Sequence, residues 1–186
     1  MSTSVSTIIM KLGELAITAG ATHVRVAQQE YFLTRSSVLA SCQANACGKY
    51  GRCWMCPPMI GTLDELSARL QYYSTGLLIQ NVAALEDSWD FEGMDSAMRT
   101  HNTMIRTLGA QVRAAFPDAE VLPLGCGGCG YCEQCCCPDT PCRFPDQAVS
   151  SVEGYGMDVK ALVESCGLHY INGVNTVSYV GLILLR

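Results

Sequence analysis

The sequence predicts an α/β fold, in which a single compact domain of mixed helices and strands carries two cysteine-rich loops. Segments with helical periodicity alternate with short apolar segments typical of strands, which favours a layered α/β arrangement. Hydrophobic residues make up 49% of the chain and charged residues 16%, so a packed core is expected rather than disorder. At 186 residues the chain has the length of one domain, and we expect that domain to span 1–186 without a dividing linker.

Three elements are expected around the first cysteine-rich loop. Residues 5–19 have apolar positions near helical spacing, and Gly20 follows where a C-terminal cap belongs. Residues 23–32 are rich in strand-forming types and predict a strand. After the loop, Thr62 with Glu65 three residues later has the spacing of a capping box, which predicts the start of a second helix.

Three more elements are expected before the second cysteine-rich loop. Residues 75–83 form a short apolar run that fits a buried strand. The segment 94–116 is periodic enough for the longest helix, and Pro117 ends it. Residues 120–124 predict another strand, which would deliver the chain to the second loop.

The C-terminal part predicts a helix followed by a hairpin. The helix covers 156–166, and strands are expected at 168–171 and 176–185. The pair Asn172-Gly173 between these two strands is typical of a hairpin turn. The order of the strands in the sheet does not follow from these patterns.

Charge and hydropathy exclude two classes of partner. The net charge of −5 and the pI near 5.1 leave no surplus of cations for a nucleic-acid backbone or an anionic membrane surface. Lys11, Gly13 and Glu14 interrupt the N-terminal apolar residues, so no signal peptide is expected. The apolar run 179–185 is much shorter than a membrane-spanning helix. We therefore predict a cytoplasmic protein that binds neither nucleic acid nor membrane.

The cysteines are the main functional signal. The chain has twelve, and eleven of them fall within 42–56 and 126–142. A reducing cytoplasm disfavours disulfides, and repeated C-x2-C spacing suits thiolates that converge on a metal. The twelfth, Cys166, stands alone and is expected to be a small buried hydrophobic residue.

The second cysteine group has the denser spacing. Its first four members form three consecutive C-x2-C steps, and three more follow closely: Cys126, Cys129, Cys132, Cys135, Cys136, Cys137 and Cys142. Such a run lets one tight loop wrap a cubane, so a [4Fe-4S] cluster is the first prediction. Zinc is the alternative, because four-cysteine zinc sites also use C-x2-C pairs. The spacing does not decide which of the seven are ligands.

The first group, Cys42, Cys47, Cys53 and Cys56, is spaced more loosely. Four thiolates would complete one cluster, whereas three would leave one iron open to a substrate or water. Full ligation indicates electron transfer, and an open iron indicates Lewis-acid chemistry. Both interpretations remain open at this point.

Four other side chains within the loops have two interpretations each. Lys49 and Arg52 either offset thiolate charge or are solvated cations. Trp54 and Tyr131 either shield a cluster from water or pack in the core, and we favour packing.

The chain resembles a family of uncharacterised, cysteine-rich predicted metal-binding proteins of anaerobic bacteria and archaea, which share a domain of unknown function. The resemblance rests on C-x2-YG-x4-CPP from residue 47, on C-x2-C-x2-C-x-C-x4-CR-x-P from residue 129 and on SSVEGYGMDV. It implies recurring cysteines in both groups: Cys42, Cys47, Cys56, Cys129, Cys132, Cys135, Cys137 and Cys142. It also implies that Cys53, Cys126 and Cys136 are additions. The family has no settled activity, so the resemblance implies metal binding and no particular reaction.

These patterns predict an iron-sulfur protein that carries two [4Fe-4S] clusters and relays electrons to a redox partner protein. One alternative is an enzyme in which an open iron of the first cluster, held by Cys42, Cys47 and Cys56, binds a small-molecule substrate. Another is a binding module stapled by zinc. No C-x3-C-x2-C motif of radical enzymes and no nucleotide-binding glycine loop occurs in the sequence.

Overall fold

The computed structural model describes residues 4–186, and within them a five-stranded sheet lies between two helical layers. The strands are β1 (His23–Gln28), β2 (Thr75–Ala84), β3 (Val121–Gly125), β4 (Ser150–Ser151) and β5 (Thr176–Leu185). The helices are α1 (Val5–Thr18), α2 (Ser36–Gln43), α3 (Leu63–Gln71), α4 (Phe91–Ala115) and α5 (Val159–Ser165), with a 3-10 turn at Gln29–Tyr31. The predicted α/β class is confirmed.

The sheet has the order β1-β2-β5-β3-β4 and is antiparallel except at one edge. The central strand β5 pairs along its whole length with β2, from Thr176 opposite Ala84 to Leu185 opposite Thr75. Its other side pairs with β3, and β3 pairs in parallel with the short β4. The C-terminal strand is therefore the centre of the sheet.

Alternation along β2 and β5 divides the core into two halves. Leu77 and Ile79 face one side, which α1 and α4 cover with apolar side chains such as Leu12 and Leu108. Leu78 faces the other side, which α3, α5 and the segment after β4 cover. Because neighbouring strand residues point to opposite faces, one run of apolar residues supplies both halves.

Most of the predicted elements are present, with shifted ends. The capping box at Thr62 and Glu65 is formed as predicted. Helix α4 begins at residue 91, three residues before the predicted start, because the Asp90 side chain caps it by accepting from the Gly93 amide at 2.8 Å. The first strand ends at residue 28, and the predicted end of that strand is a 3-10 turn. No helix within residues 4–186 is long and apolar enough to cross a bilayer.

The predicted hairpin at the C-terminus is wrong. Residues 168–171 form no strand, and β5 instead has β2 and β3 on its two sides. The Asn172 amide donates to the backbone oxygen of His169 and to the Ser178 hydroxyl, at 3.0 and 2.8 Å, and thereby folds the segment back on itself. The His169 oxygen also accepts from the Gln80 side chain at 2.8 Å. These side-chain bonds replace the ladder that a hairpin would need.

Two elements were not predicted, and helix 156–166 was predicted too long. Helix α2 buries none of its residues and has no side-chain cap at Arg35, so its sequence carries little helical signal. Strand β4 is two residues long. Helix α5 begins at residue 159, after Asp158, whose carboxylate accepts from the Ala161 amide at 3.0 Å.

A glycine of the central strand sets how closely α4 approaches the sheet. A Cβ at Gly181 would lie 2.7 Å from Cγ1 of Ile105 and 3.0 Å from Nε2 of the buried His101. We expect Gly181→Ala to lower the free energy of unfolding by about 1–3 kcal/mol, because overpacking forces helix and sheet apart. Chemical denaturation measures this change.

The control is Gly13→Ala in α1, where an added Cβ would meet nothing within 4 Å. This variant should gain about 0.5–1 kcal/mol, because alanine has less backbone freedom to lose in a helix. Equal stabilities for the two variants would contradict the close approach at Gly181.

Candidate metal centre

The first cysteine-rich loop connects α2 to α3 and is built from consecutive turns. The Gly51 amide donates to the Pro57 oxygen at 3.0 Å, which closes the loop on itself. The Cys56 amide donates to the Cys53 oxygen, also at 3.0 Å, so a turn presents both thiols of this C-x2-C pair. Cys42 lies in the last turn of α2, and the rest of the loop contains no helix or strand.

The second cysteine-rich loop leaves the sheet at β3 and returns to the same edge at β4. Gly125 lies opposite Ser151 in that parallel pair, so both ends of the loop are fixed side by side. Gly127 and Gly130 have φ values of +62° and +61°, which glycine adopts without strain. These two glycines turn the chain directly after the sheet.

The two loops pack against each other. The indole Nε1 of Trp54 in the first loop donates to the Thr140 oxygen in the second at 2.9 Å. The Cys137 thiol lies 3.8 Å from the Gly51 oxygen, and the aliphatic stem of Lys49 lies over Gly128. The candidate site is therefore one face of the molecule with contributions from both loops.

Cysteines of both loops line one cavity. Cys53 contributes from the first loop, and four cysteines contribute from the second: Cys129, Cys132, Cys135 and Cys142. Trp54, Tyr131 and Phe144 form part of the wall, and Tyr131 and Phe144 meet edge to face at 5.1 Å. The cavity volume is about 30 Å³, which is the space for a water or a single ion.

Cys53 is coupled to its neighbours. Its interaction with the Cys56 thiol lowers the pKa of Cys53 and raises the pKa of Cys56. A backbone hydrogen bond from Cys129 and the charge of Lys49 also lower the pKa of Cys53. A thiolate on one of these two buried side chains is therefore stabilised by the thiol of the other.

Cys42 and Cys47 lie outside the residues that line this cavity. Burial, and then the nearby Cys47, raise the pKa of the half-buried Cys42. Cys47 is exposed, and its charge also raises the pKa of Cys56. Cys47 is thus electrostatically linked to both Cys42 and Cys56.

Cys126 occupies a separate, buried position under α4. Asn102 donates to its backbone oxygen at 2.9 Å and accepts from its amide at 2.9 Å. Burial raises the pKa of the Cys126 thiol to about 12. The structure therefore separates Cys126 from Cys129, Cys132 and Cys135, although all four share one spacing in sequence.

The remaining cysteines take three different positions. The Cys136 thiol donates to the Pro141 oxygen at 3.1 Å and does not line the cavity. Cys137 is buried at the contact with the first loop. Cys166 follows α5 and packs against the core, but it is only partly buried rather than buried as expected.

Three polar residues near the cysteines were missed by the sequence analysis. Asn102 and Arg106 lie one turn apart on α4, and the Arg106 guanidinium donates to the Cys129 oxygen at 3.0 Å. The sequence pattern that could have indicated them is a pair of polar residues four positions apart, on a helix whose other buried side chains are mostly apolar. Glu153 lies in the segment SSVEGYGMDV, which carried the family resemblance without an assigned role.

Glu153 is half-buried beside the second loop, with its Oε2 atom inaccessible to solvent. Its Oε2 atom has no hydrogen-bond partner, and burial raises the pKa of the carboxyl group. The carboxylate interacts with the backbone of Gly127 and with the Ser151 side chain. Its charge also contributes to raising the pKa values of Cys42 and Cys126.

The donor set is chemically suited to a soft or borderline metal. Eleven thiols lie in two touching loops that contain no histidine, and thiolates suit zinc and iron-sulfur clusters. Among residues 4–186, no three His, Cys, Asp or Glu side chains are gathered closely enough to hold an ion as they stand. The thiols would have to turn towards a common point.

The mixed sheet and the two cysteine-rich loops that pack against each other define this chain as a cysteine-rich α/β protein with a candidate metal centre. The chain belongs to the family described as predicted metal-binding protein (DUF2284), which matches residues 25–185. This finding confirms the family resemblance seen in the sequence motifs. No curated protein and no solved structure matches the chain.

Asn102 is expected to stabilise the start of the second loop. We expect Asn102→Ala to lower the free energy of unfolding by about 2–4 kcal/mol, because it leaves the buried N–H and C=O of Cys126 without partners. Thermal or chemical unfolding of the purified protein measures the loss. Thr103→Ala, an exposed neighbour on α4, is the control and should change stability little. Equal effects of the two variants would contradict this role of Asn102.

Proposed function

We propose that the two loops together hold iron-sulfur clusters of the [4Fe-4S] type and that the protein relays electrons to a redox partner. The observation that carries this proposal is the shared cavity, where Cys53 meets Cys129, Cys132, Cys135 and Cys142. Four second-loop thiols are enough to saturate one cubane. When bound, such a cluster supplies one-electron transfer.

The surroundings of the cavity support a charged sulfur-rich centre. Lys49 belongs to the first loop and Arg106 to α4. The charge of Lys49 contributes to lowering the pKa of Cys53, and the charge of Arg106 partly offsets the rise that burial causes in the pKa of Cys129. Such cations offset the negative charge that converging thiolates accumulate. Trp54 and Tyr131 line the wall, where they limit the access of water.

The contact between the loops supports electron relay. Cys53 shares a turn with Cys56 on one side and lines the cavity with Cys129 on the other. Metal centres held by the first and second groups would therefore be neighbours. Cys53 lies at the junction, so its thiolate can serve either group.

A zinc site is the second candidate, and the size of the cavity favours it. A volume of about 30 Å³ is the space of one ion, so a zinc site would require the surrounding thiols to turn towards a common point, whereas a cubane would also require the loops to open. Neither loop contains a helix or strand that would resist this opening.

Metal analysis separates the two candidates. We expect anaerobically purified protein to contain about eight irons and matching acid-labile sulfide, the total for two cubanes. Stoichiometric zinc without labile sulfide would refute the iron-sulfur proposal. Cys166→Ser, which removes a thiol distant from both loops, is the control and should leave the metal content unchanged.

A pair of cysteine variants tests the role of the shared cavity. Cys53→Ser should lose about half of the iron, because Cys53 lies where the two groups meet and each cubane holds half of the total. Cys136→Ser should retain the iron, because its thiol bonds to the Pro141 oxygen outside the cavity. Full iron in the Cys53 variant together with a loss in the Cys136 variant would reject the proposed arrangement.

A further inference from the structure

A second, larger cleft lies between α4 and the second loop. Its volume is about 650 Å³, which is within the range of small-molecule sites. The cleft and the cysteine cavity share Lys49 and the segment 129–132 as a common wall. A molecule in this cleft would therefore lie directly against Cys129 and Cys132.

Arg106 is the central cation of this cleft. Its guanidinium donates to the Cys129 oxygen at 3.0 Å, lies 3.5 Å from the Thr103 hydroxyl and is stacked over the Tyr131 ring at 5.4 Å. The side chain is half-buried, yet within residues 4–186 it forms no ion pair with a carboxylate. Arginine side chains are rarely buried without an anionic partner. The guanidinium group has five N–H donors, and the two neutral oxygens beside it do not occupy all of them.

Among the Lys, Arg, Asp and Glu side chains that line the cleft, the cations outnumber the carboxylates. Lys49 is exposed and makes no ion pair within the described part of the chain. Asp95 and Arg99 neutralise each other at 2.7 Å, and Glu133 is the other carboxylate of the lining. Lys49 and Arg106 are thus two cations that face one carboxylate.

We propose that this cleft binds a small organic anion through a carboxylate or phosphate group, with Arg106 as the main donor and Lys49 as a second charge. Arginine forks bind both groups in a bidentate manner, and the Tyr131 ring and Met98 supply apolar contact for the rest of the molecule. The inference goes beyond the proposed function and does not depend on which metal the cysteines hold. It gives the protein a ligand site beside its candidate metal centre.

The competing explanation is that Arg106 only offsets thiolate charge. Burial raises the pKa values of Cys126 and Cys129, and the charge of Arg106 partly offsets this rise, so both roles predict a cation at this position. They differ in whether free anions bind and in whether Lys49, on the other loop, contributes to that binding.

The test is calorimetric titration of anaerobically purified protein, with its native metal, using inorganic phosphate and succinate as separate probes. We expect at least one probe to bind. The probe that binds with the higher affinity indicates whether the cleft prefers phosphate or carboxylate. Arg106→Gln should weaken its binding by about ten-fold or more, since a charged hydrogen bond is lost. Lys49→Gln should weaken it less.

The matched control is Arg113→Gln, which removes the same charge from the same helix. Arg113 also donates to a backbone oxygen, that of Val121 at 3.1 Å, but lies outside the cleft. This variant should bind like the wild type.

Metal content is measured for every variant, so loss of the metal centre is distinguished from loss of the anion. Three results overturn the inference. One is that neither probe binds to the wild type. Another is that Arg113→Gln changes probe binding as much as Arg106→Gln does. The third is a loss of metal in Arg106→Gln while Lys49→Gln binds the probe as tightly as the wild type.

Discussion

The candidate metal centre depends on the contact between the two cysteine-rich loops. Trp54 reaches across to Thr140, and Cys53 lines one cavity together with Cys129. These contacts join segments that are more than seventy residues apart in sequence. Without them, each loop would present only its own thiols, and Cys53 would not face the second group.

The sheet supports this contact by fixing where each loop begins and ends. The parallel pairing of β3 with β4 holds both ends of the second loop at one edge. Helix α4 lies beside that edge and supplies Asn102 and Arg106, which bind the backbone of Cys126 and Cys129. The fold thus provides rigid supports for loops that have no regular structure of their own.

Burial and charge act in opposite directions on the thiols. Burial raises the pKa values of Cys126, Cys129 and Cys137, which favours the protonated form. Lys49 and Arg106 act against this effect near the cavity. Because a metal binds thiolates, metal binding would release protons and supply folding free energy to these loops. The same two cations, Lys49 and Arg106, also line the polar cleft beside the loops.

The sequence by itself determined the α/β class, the capped helix after Thr62, the long helix before Pro117 and the two cysteine groups, because periodicity, caps and spacing are local. It did not determine the position of the last strand: β5 lies at the centre of the sheet, and the bonds of Asn172 prevent a hairpin. Only the tertiary structure decided that Cys53 faces the second group while Cys126 is held under α4. Equal spacing cannot reveal this difference, because it arises from contacts between distant segments.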